Sequence, residues 1–290
     1  MRKFYLENAA GDRIDLNGAS RIHLTDPAGL GLTLTPAYAD LKNGFFRAVS
    51  ADSEPQSSFT ATLTFPKPAP YPRWKTFVDW CSRSGHLYLV YRPYEDIEYY
   101  REVEISYFSK GELSRNGWLE IPASFFCLTP WYRKDPTTLE MLNSEGSAIR
   151  YSYRYTSQLI YGADSAAVLA GTVYPGGHRP GSVRLRYFGE ILNPKIRLTG
   201  NVSGKTYGLC SVEGALVSGD TLELSTLYLD SHIRRIAADG TVTDLLDAVS
   251  LASEPFFHVP TDEPSTLSVE ADAVFTGSAE LEVFYYFRSV

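Results

Sequence analysis

Glu102 and Glu104 are residues whose type and spacing could do chemistry. On a strand, residues two apart share a face, which would set the two carboxylates about 6–7 Å apart. That is near the spacing at which paired carboxylates hydrolyse glycosidic bonds. Glu95, Asp96 and Glu98 gather just before them, beside Pro93. The same pattern is the ordinary solvent face of an antiparallel strand, and it is read as such here. Asp262 and Glu263 stand in a Pro-flanked loop, where solvated charge is the expectation.

Other chemical signatures are weak. His23, His86, His178, His232 and His258 are scattered, without an HxH or HExxH pair, so no metal site is expected. No GxSxG marks a nucleophile. Gly204-Lys205-Thr206 ends like a phosphate-binding loop, but that loop needs a glycine where Thr199 stands. The nearest glycine, Gly200, comes one place too late, and the surroundings read strand–turn–strand, so an ordinary turn is expected. Cys81, Cys127 and Cys210 are far apart and odd in number, which fits buried free thiols. No catalytic residue and no cofactor is expected. Tyr151, Tyr153 and Tyr155, with Tyr161 nearby, would share a strand face and form a candidate sugar-stacking platform. Packing between sheets is the competing use of the same tyrosines.

The elements that must position these residues are nearly all strands. One helix stands out, from Pro72 towards Gly85. Trp74, Phe77, Val78 and Cys81 recur at i, i+3, i+4 and i+7 and make one apolar stripe, with Trp80 at its edge. An apolar strand follows from His86 to Tyr91. Ser58 to Phe65 (SFTATLTF) alternates cleanly, with Phe59, Ala61, Leu63 and Phe65 on one face. Asp26-Pro27-Ala28-Gly29 reads as a turn before a strand at Leu30 to Thr35. Asn43-Gly44, Asn116-Gly117 and Asp239-Gly240 are further turn signals. In the second half, Ile149 to Tyr155 is a tyrosine-rich strand, and Thr266 to Phe275 and Glu280 to Phe287 are two separate strands. One helix among many strands needs a sheet to cover.

Length and composition set the frame. The 290 residues suggest two domains, and 13% aromatic residues favour β-structure. Twenty-seven Lys and Arg against 34 Asp and Glu give a net charge of −7, which argues against broad nucleic-acid binding. No apolar run reaches the roughly 18 residues that span a bilayer. The apolar stretch at the start stops at Glu7, too short for a signal peptide, so assembly in a cytoplasm is expected. The expected architecture is mainly β. Residues 1–134 form an N-terminal β-sandwich or split barrel with one covering helix. Residues 135–290 form a jelly-roll or galectin-like β-sandwich.

The order of segments then resembles a known family. FYLEN and DRIDLNG open the chain, followed by TDPAGLGL, SFTATLTF, YPRWKTFVDW, HLYLVYRP, REVEISYFSKGEL and WLEIPASFFCLTPWYRK. This succession is similar to the distal tail proteins (Dit, or tail component) of siphoviruses, best over the first 135 residues. RYFGEILNPKIRLTG in the second half is similar to that family's more variable domain. The resemblance implies a structural protein of a phage or phage-tail-like particle, located at the virion tail tip and assembled in the host cytoplasm. It implies a hexameric ring made by residues 1–134, with residues 135–290 peripheral. The implied partners are further copies of itself, a tail tube protein and a tail-associated hub protein, with receptor-binding proteins or cell-wall glycans on the outer domain. A carbohydrate-binding β-sandwich protein is the alternative. In this family the stripe of Trp74, Phe77, Val78 and Cys81 becomes the landmark of the ring-forming domain.

Overall fold

A computed structural model of the chain describes residues 2–31, 37–41, 45–50, 57–142, 168–271 and 273–290. Two compact units emerge: Met1–Arg133 together with Phe287–Val290, and Lys134–Tyr286. Strands dominate both, as the composition leads one to expect.

In the first unit the chain makes β1 (Lys3–Asn8), β2 (Arg13–Asp15), β3 (His23–Ala28), β4 (Ala37–Leu41), β5 (Phe45–Ser50) and β6 (Ser58–Phe65). Helix α1 (Pro70–Arg83) follows, then β7 (Leu87–Tyr94), β8 (Ile97–Phe108) and β9 (Leu119–Cys127). The antiparallel ladder runs β2-β1-β7-β8-β9-β6-β3. The two ends of this ladder approach through a single bridge, Asn17 to His23, and do not close a barrel. Alternation in β6 sends Phe59, Ala61, Leu63 and Phe65 into the core. Across the ladder Phe59 faces Phe125, Leu63 faces Ile121 and Phe65 faces Leu119.

The stretch at Asp26-Pro27 is a correction. It is not a turn but the end of β3, where the register slips between Thr25 and Ala28 and Asp26 takes φ +51°. A proline cannot donate to a ladder, but a bulge on an edge strand tolerates one. Most of the expected strand at Leu30 to Thr35, and the Asn43-Gly44 turn, lie outside the described residues.

The helix also starts two residues earlier than expected, so Pro70 rather than Pro72 opens it. Both prolines fall in the first turn, where a missing N–H breaks no helical bond. Phe77 and Cys81 are buried, while Trp74, Val78 and Trp80 are half-buried against the same core. Trp74 meets Phe65 at 5.6 Å and Phe108 at 5.4 Å, both edge to face, and Phe77 meets the same two rings at 5.8 and 5.7 Å. Phe108 meets Phe125, Phe125 meets Phe59, and Phe59 meets Phe4. Residues from the far end of the sequence complete this unit. The Phe287 ring stands 5.1 Å from Tyr99, and the Val290 N–H donates to the Leu30 carbonyl.

Strand β10 (Trp131–Leu142) begins in the first unit and carries the chain into the second. There follow β11 (Val168–Val173), β12 (Arg179–Leu192), β13 (Lys195–Gly200), β14 (Thr206–Ser211), β15 (Ala215–Leu216), β16 (Thr221–Leu227), β17 (Asp230–Ile236), β18 (Val242–Asp244), β19 (Ser265–Glu270) and β20 (Ala273–Phe287). One antiparallel sheet runs β18-β17-β16-β12-β20 and another β10-β11-β19-β13-β14. Each buries one face: Val183, Leu185, Leu222, Leu224 and Ile233 in the first, Ile196, Leu198, Leu267 and Val269 in the second. That is the pattern of a β-sandwich. β20 is one strand from Ala273, not a strand that starts at Glu280. Gly277 lies inside its ladder with β12, and a Cβ there would meet the Phe188 carbonyl oxygen at 2.1 Å. The glycine serves close approach rather than a turn.

Phe77→Ala removes a buried ring shared by the helix and two strands. It should cost about 3–5 kcal/mol in denaturant unfolding of the first unit. The half-buried Trp74 should cost less on the same change.

Candidate functional site

Glu7 and Glu98 of the first unit are held by arginines. Glu98 accepts from Arg13 at 3.1 and 3.0 Å and from the Tyr100 hydroxyl at 2.7 Å, with Arg92 at 3.1 Å. Burial pushes its pKa up, but the Arg13 and Tyr100 bonds outweigh that and hold it below the usual carboxylate range. Arg13 also pairs with Glu7 at 2.5 Å. Glu102 lies 2.9 Å from His86 Nδ1, whereas Glu104 is exposed and stands opposite Phe126 on β9. The two glutamates thus serve different surroundings, and nothing pairs them as an acid and a base.

Glu263 overturns its reading as loop charge. It is only 7% exposed. Its carboxylate accepts from the backbone N–H of Val202 and of Ser203, both at 2.9 Å, and from the Ser203 and Tyr207 hydroxyls. The turn that looked like the end of a phosphate-binding loop does cradle an anion, but the anion is the protein's own. A Cβ at Gly200 would fall 2.3 Å from Glu263 Oε1, so the glycine makes room for the carboxylate. The bonds from Ser203 and then Tyr207 hold Glu263 down at about 2.

A second anchored carboxylate, Glu223, is not marked by its own strand's sequence. Glu223 is 1% exposed although it sits on the outward face of β16. Arg186 reaches it from β12 at 2.6 Å, and His232 and Arg234 from β17 at 2.8 and 2.5 Å. Register explains this: Glu280, Arg186, Glu223, Arg234 and Asp244 lie on one rung across five strands, alternating in sign. Cross-strand neighbours of opposite charge stabilise a sheet. Burial pushes Glu223 up, but Arg186 and His232 bring it down to about 2. Arg184, two residues along β12, pairs with Asp230 at 3.1 Å. The signal was present as charges two apart on three strands, but only the register lines them up.

Cys81, Cys127 and Cys210 are buried and free, and burial raises the Cys81 and Cys210 thiols to about 12. His178 is exposed in its loop. Among the described residues, no three His, Cys, Asp or Glu side chains are grouped to hold a metal ion. No helix among them is long and apolar enough to cross a membrane. Tyr151, Tyr153, Tyr155 and Tyr161 lie outside the described residues. Glu98, Glu223 and Glu263 hold strands and turns together, which is a structural task.

Residues 3–128 match the family model for the N-terminal domain of distal tail proteins. This stretch, the first part of the chain, is thus similar to the N-terminal domain of distal tail proteins. The landmark helix, with Trp74, Phe77, Val78 and Cys81, falls inside it. Solved phage structures share the fold along the whole chain. A chain of the phage P2 baseplate in its activated conformation with calcium matches at a TM-score of 0.69 and 14% identity, covering 100% of both chains. The form with strontium gives 0.69 and 15%, again covering 100% of both. The SPP1 Dit protein matches at 0.58 and 10%, covering 97% of this chain and 98% of that one. At such identities the likeness is one of fold. No curated protein matches in sequence. The family model and the shared fold point the same way, to a component of a phage tail.

Glu223 and Glu263 titrate near 2 when folded and near 4.3 when unfolded. Their stabilisation is therefore full above about pH 4.3 and is lost as pH falls towards 2. The urea midpoint of the second unit should fall across that window. Glu223→Gln should cost about 1–3 kcal/mol at pH 7 and flatten the fall. An equal fall in wild type and variant would contradict this role.

Proposed function

We propose that this chain is a distal tail protein of the virion tail tip and forms a closed homo-oligomeric ring, six-fold in the simplest case, that joins the tail tube to the tail hub. The observation that carries the reading is the match of residues 3–128 to the distal tail N-terminal domain. The SPP1 protein of the same fold is described as a paradigm of hub adsorption apparatus in phages that infect Gram-positive bacteria. Residues 1–134 make the ring in this reading. Residues 135–290 form the outer domain that meets receptor-binding proteins or cell-wall glycans.

The physical chemistry of the chain supports a scaffold. Glu98, Glu223 and Glu263 are spent on internal ion pairs and turn bonds, and the three thiols are buried. A ring needs head-to-tail contacts whose rotation closes, which calls for two different surfaces on one subunit.

Mass photometry and negative-stain electron microscopy of the purified full-length chain provide the test. Discrete rings of one copy number are the expected result. A monomer that persists at high micromolar concentration would remove the proposal.

A further inference from the structure

The outward face of the first unit breaks its own pattern. On β6 that face carries Ser58, Thr60 and Thr62, as a solvated strand should. On the neighbouring strands it carries Tyr107, 52% exposed, and Phe126, 45% exposed, with Leu128 just beyond at 39%. Register places them together: Phe126 stands between Ser58 and Glu104, and Tyr107 stands opposite Ser124. An aromatic pair on an otherwise Ser/Thr face is the kind of exposed apolar patch that marks a contact surface. Its flanking charge is negative, from Glu104 on β8 and Glu120 on β9, both exposed.

The same unit has a concavity of about 460 Å³ where β1, β2 and β3 come together. Leu16, Leu24 and Pro27 line it, and exposed Arg2, Lys3, His23 and Asp26 stand around it, two permanent cations against one carboxylate. The ladder between β2 and β3 consists there of one bridge, which leaves the gap. The free side of β3 is a poor template for strand addition, because Asp26 is at φ +51° and Pro27 offers no N–H. A side chain can fill the gap where a strand cannot.

Resting on the ring reading above, we propose that Phe126 and Tyr107 of one copy dock into this cationic, apolar-floored concavity of the next copy, with Glu104 facing Lys3. The patch lies on β8 and β9 and the concavity on β1 to β3, so the contact is heterologous. Complementary charge selects a second copy as the occupant. The geometry is head-to-tail, which is what a closed ring requires.

The test uses the full-length protein and follows assembly by mass photometry, with circular dichroism and thermal unfolding as checks on folding. Phe126→Ser, at an exposed position, should leave the unfolding temperature unchanged and raise the concentration for half-assembly at least tenfold. Lys3→Glu and Glu104→Lys should each weaken assembly, and the double variant should recover it to within a few fold of wild type. A Phe126→Ser protein that assembles like wild type, or a double variant that does not recover, overturns the inference and assigns the face to another tail protein. A wild type that never assembles overturns the ring reading itself and this contact with it.

Discussion

The contact between helix α1 and the sheets beneath it is the constraint on which the first unit depends. Phe65 on β6, Trp74 and Phe77 on the helix and Phe108 on β8 form one aromatic cluster, with ring centres 5.4–6.2 Å apart. From Phe108 the chain of rings continues through Phe125 and Phe59 to Phe4 on the first strand. Elements far apart in sequence therefore share one buried surface. Aromatic pairs add about 0.5–1.5 kcal/mol each beyond the area they bury. The cluster holds an open, unclosed strand ladder in one shape, and the surfaces on its outer side have fixed positions only because that core is fixed.

Charge plays a matching part in the second unit. A carboxylate buried without partners would lose its ionisation or unfold the site. Glu223 and Glu263 keep theirs because each is wrapped by donors: three side chains from neighbouring strands around Glu223, and two N–H groups and two hydroxyls around Glu263. These groups resemble active-site carboxylates in burial but differ in having no open side for a substrate. The Gly200–Lys205 turn makes the point most sharply. Its backbone donors have the chemistry of an anion site, and the fold fills that site with Glu263.

Much of the fold was legible because it rests on periodicity. The alternation of SFTATLTF and the i, i+3, i+4, i+7 stripe of the helix are local signals, and they state directly which side chains face the core. What failed to read was what depends on partners distant in sequence. Asp26-Pro27 has the composition of a turn, yet an edge position lets β3 absorb it as a bulge. Gly277 looks like a break, yet it lies where Phe188 on a neighbouring strand comes too close for a side chain. Glu223 is an unremarkable polar residue until register brings Arg186 and Arg234 to either side. Glu263 reads as loop charge because its donors lie about 60 positions earlier in the chain. Phe126 breaks the alternation of its strand, whereas Tyr107 continues the series of Val103 and Ile105 in sequence, and only the bulge between Ile105 and Tyr107 turns it to the outward face near Phe126.

The central claim is that the first unit builds the assembly and the second unit stays outside its contacts. Zero-length carbodiimide cross-linking of assembled protein, prepared from mixed light and heavy isotope-labelled copies, measures this directly, because it joins amines to carboxylates across a subunit boundary. The account predicts mixed-isotope cross-links between residues of the first unit, Lys3 to Glu104 foremost. Mixed cross-links confined to residues of the second unit would contradict it.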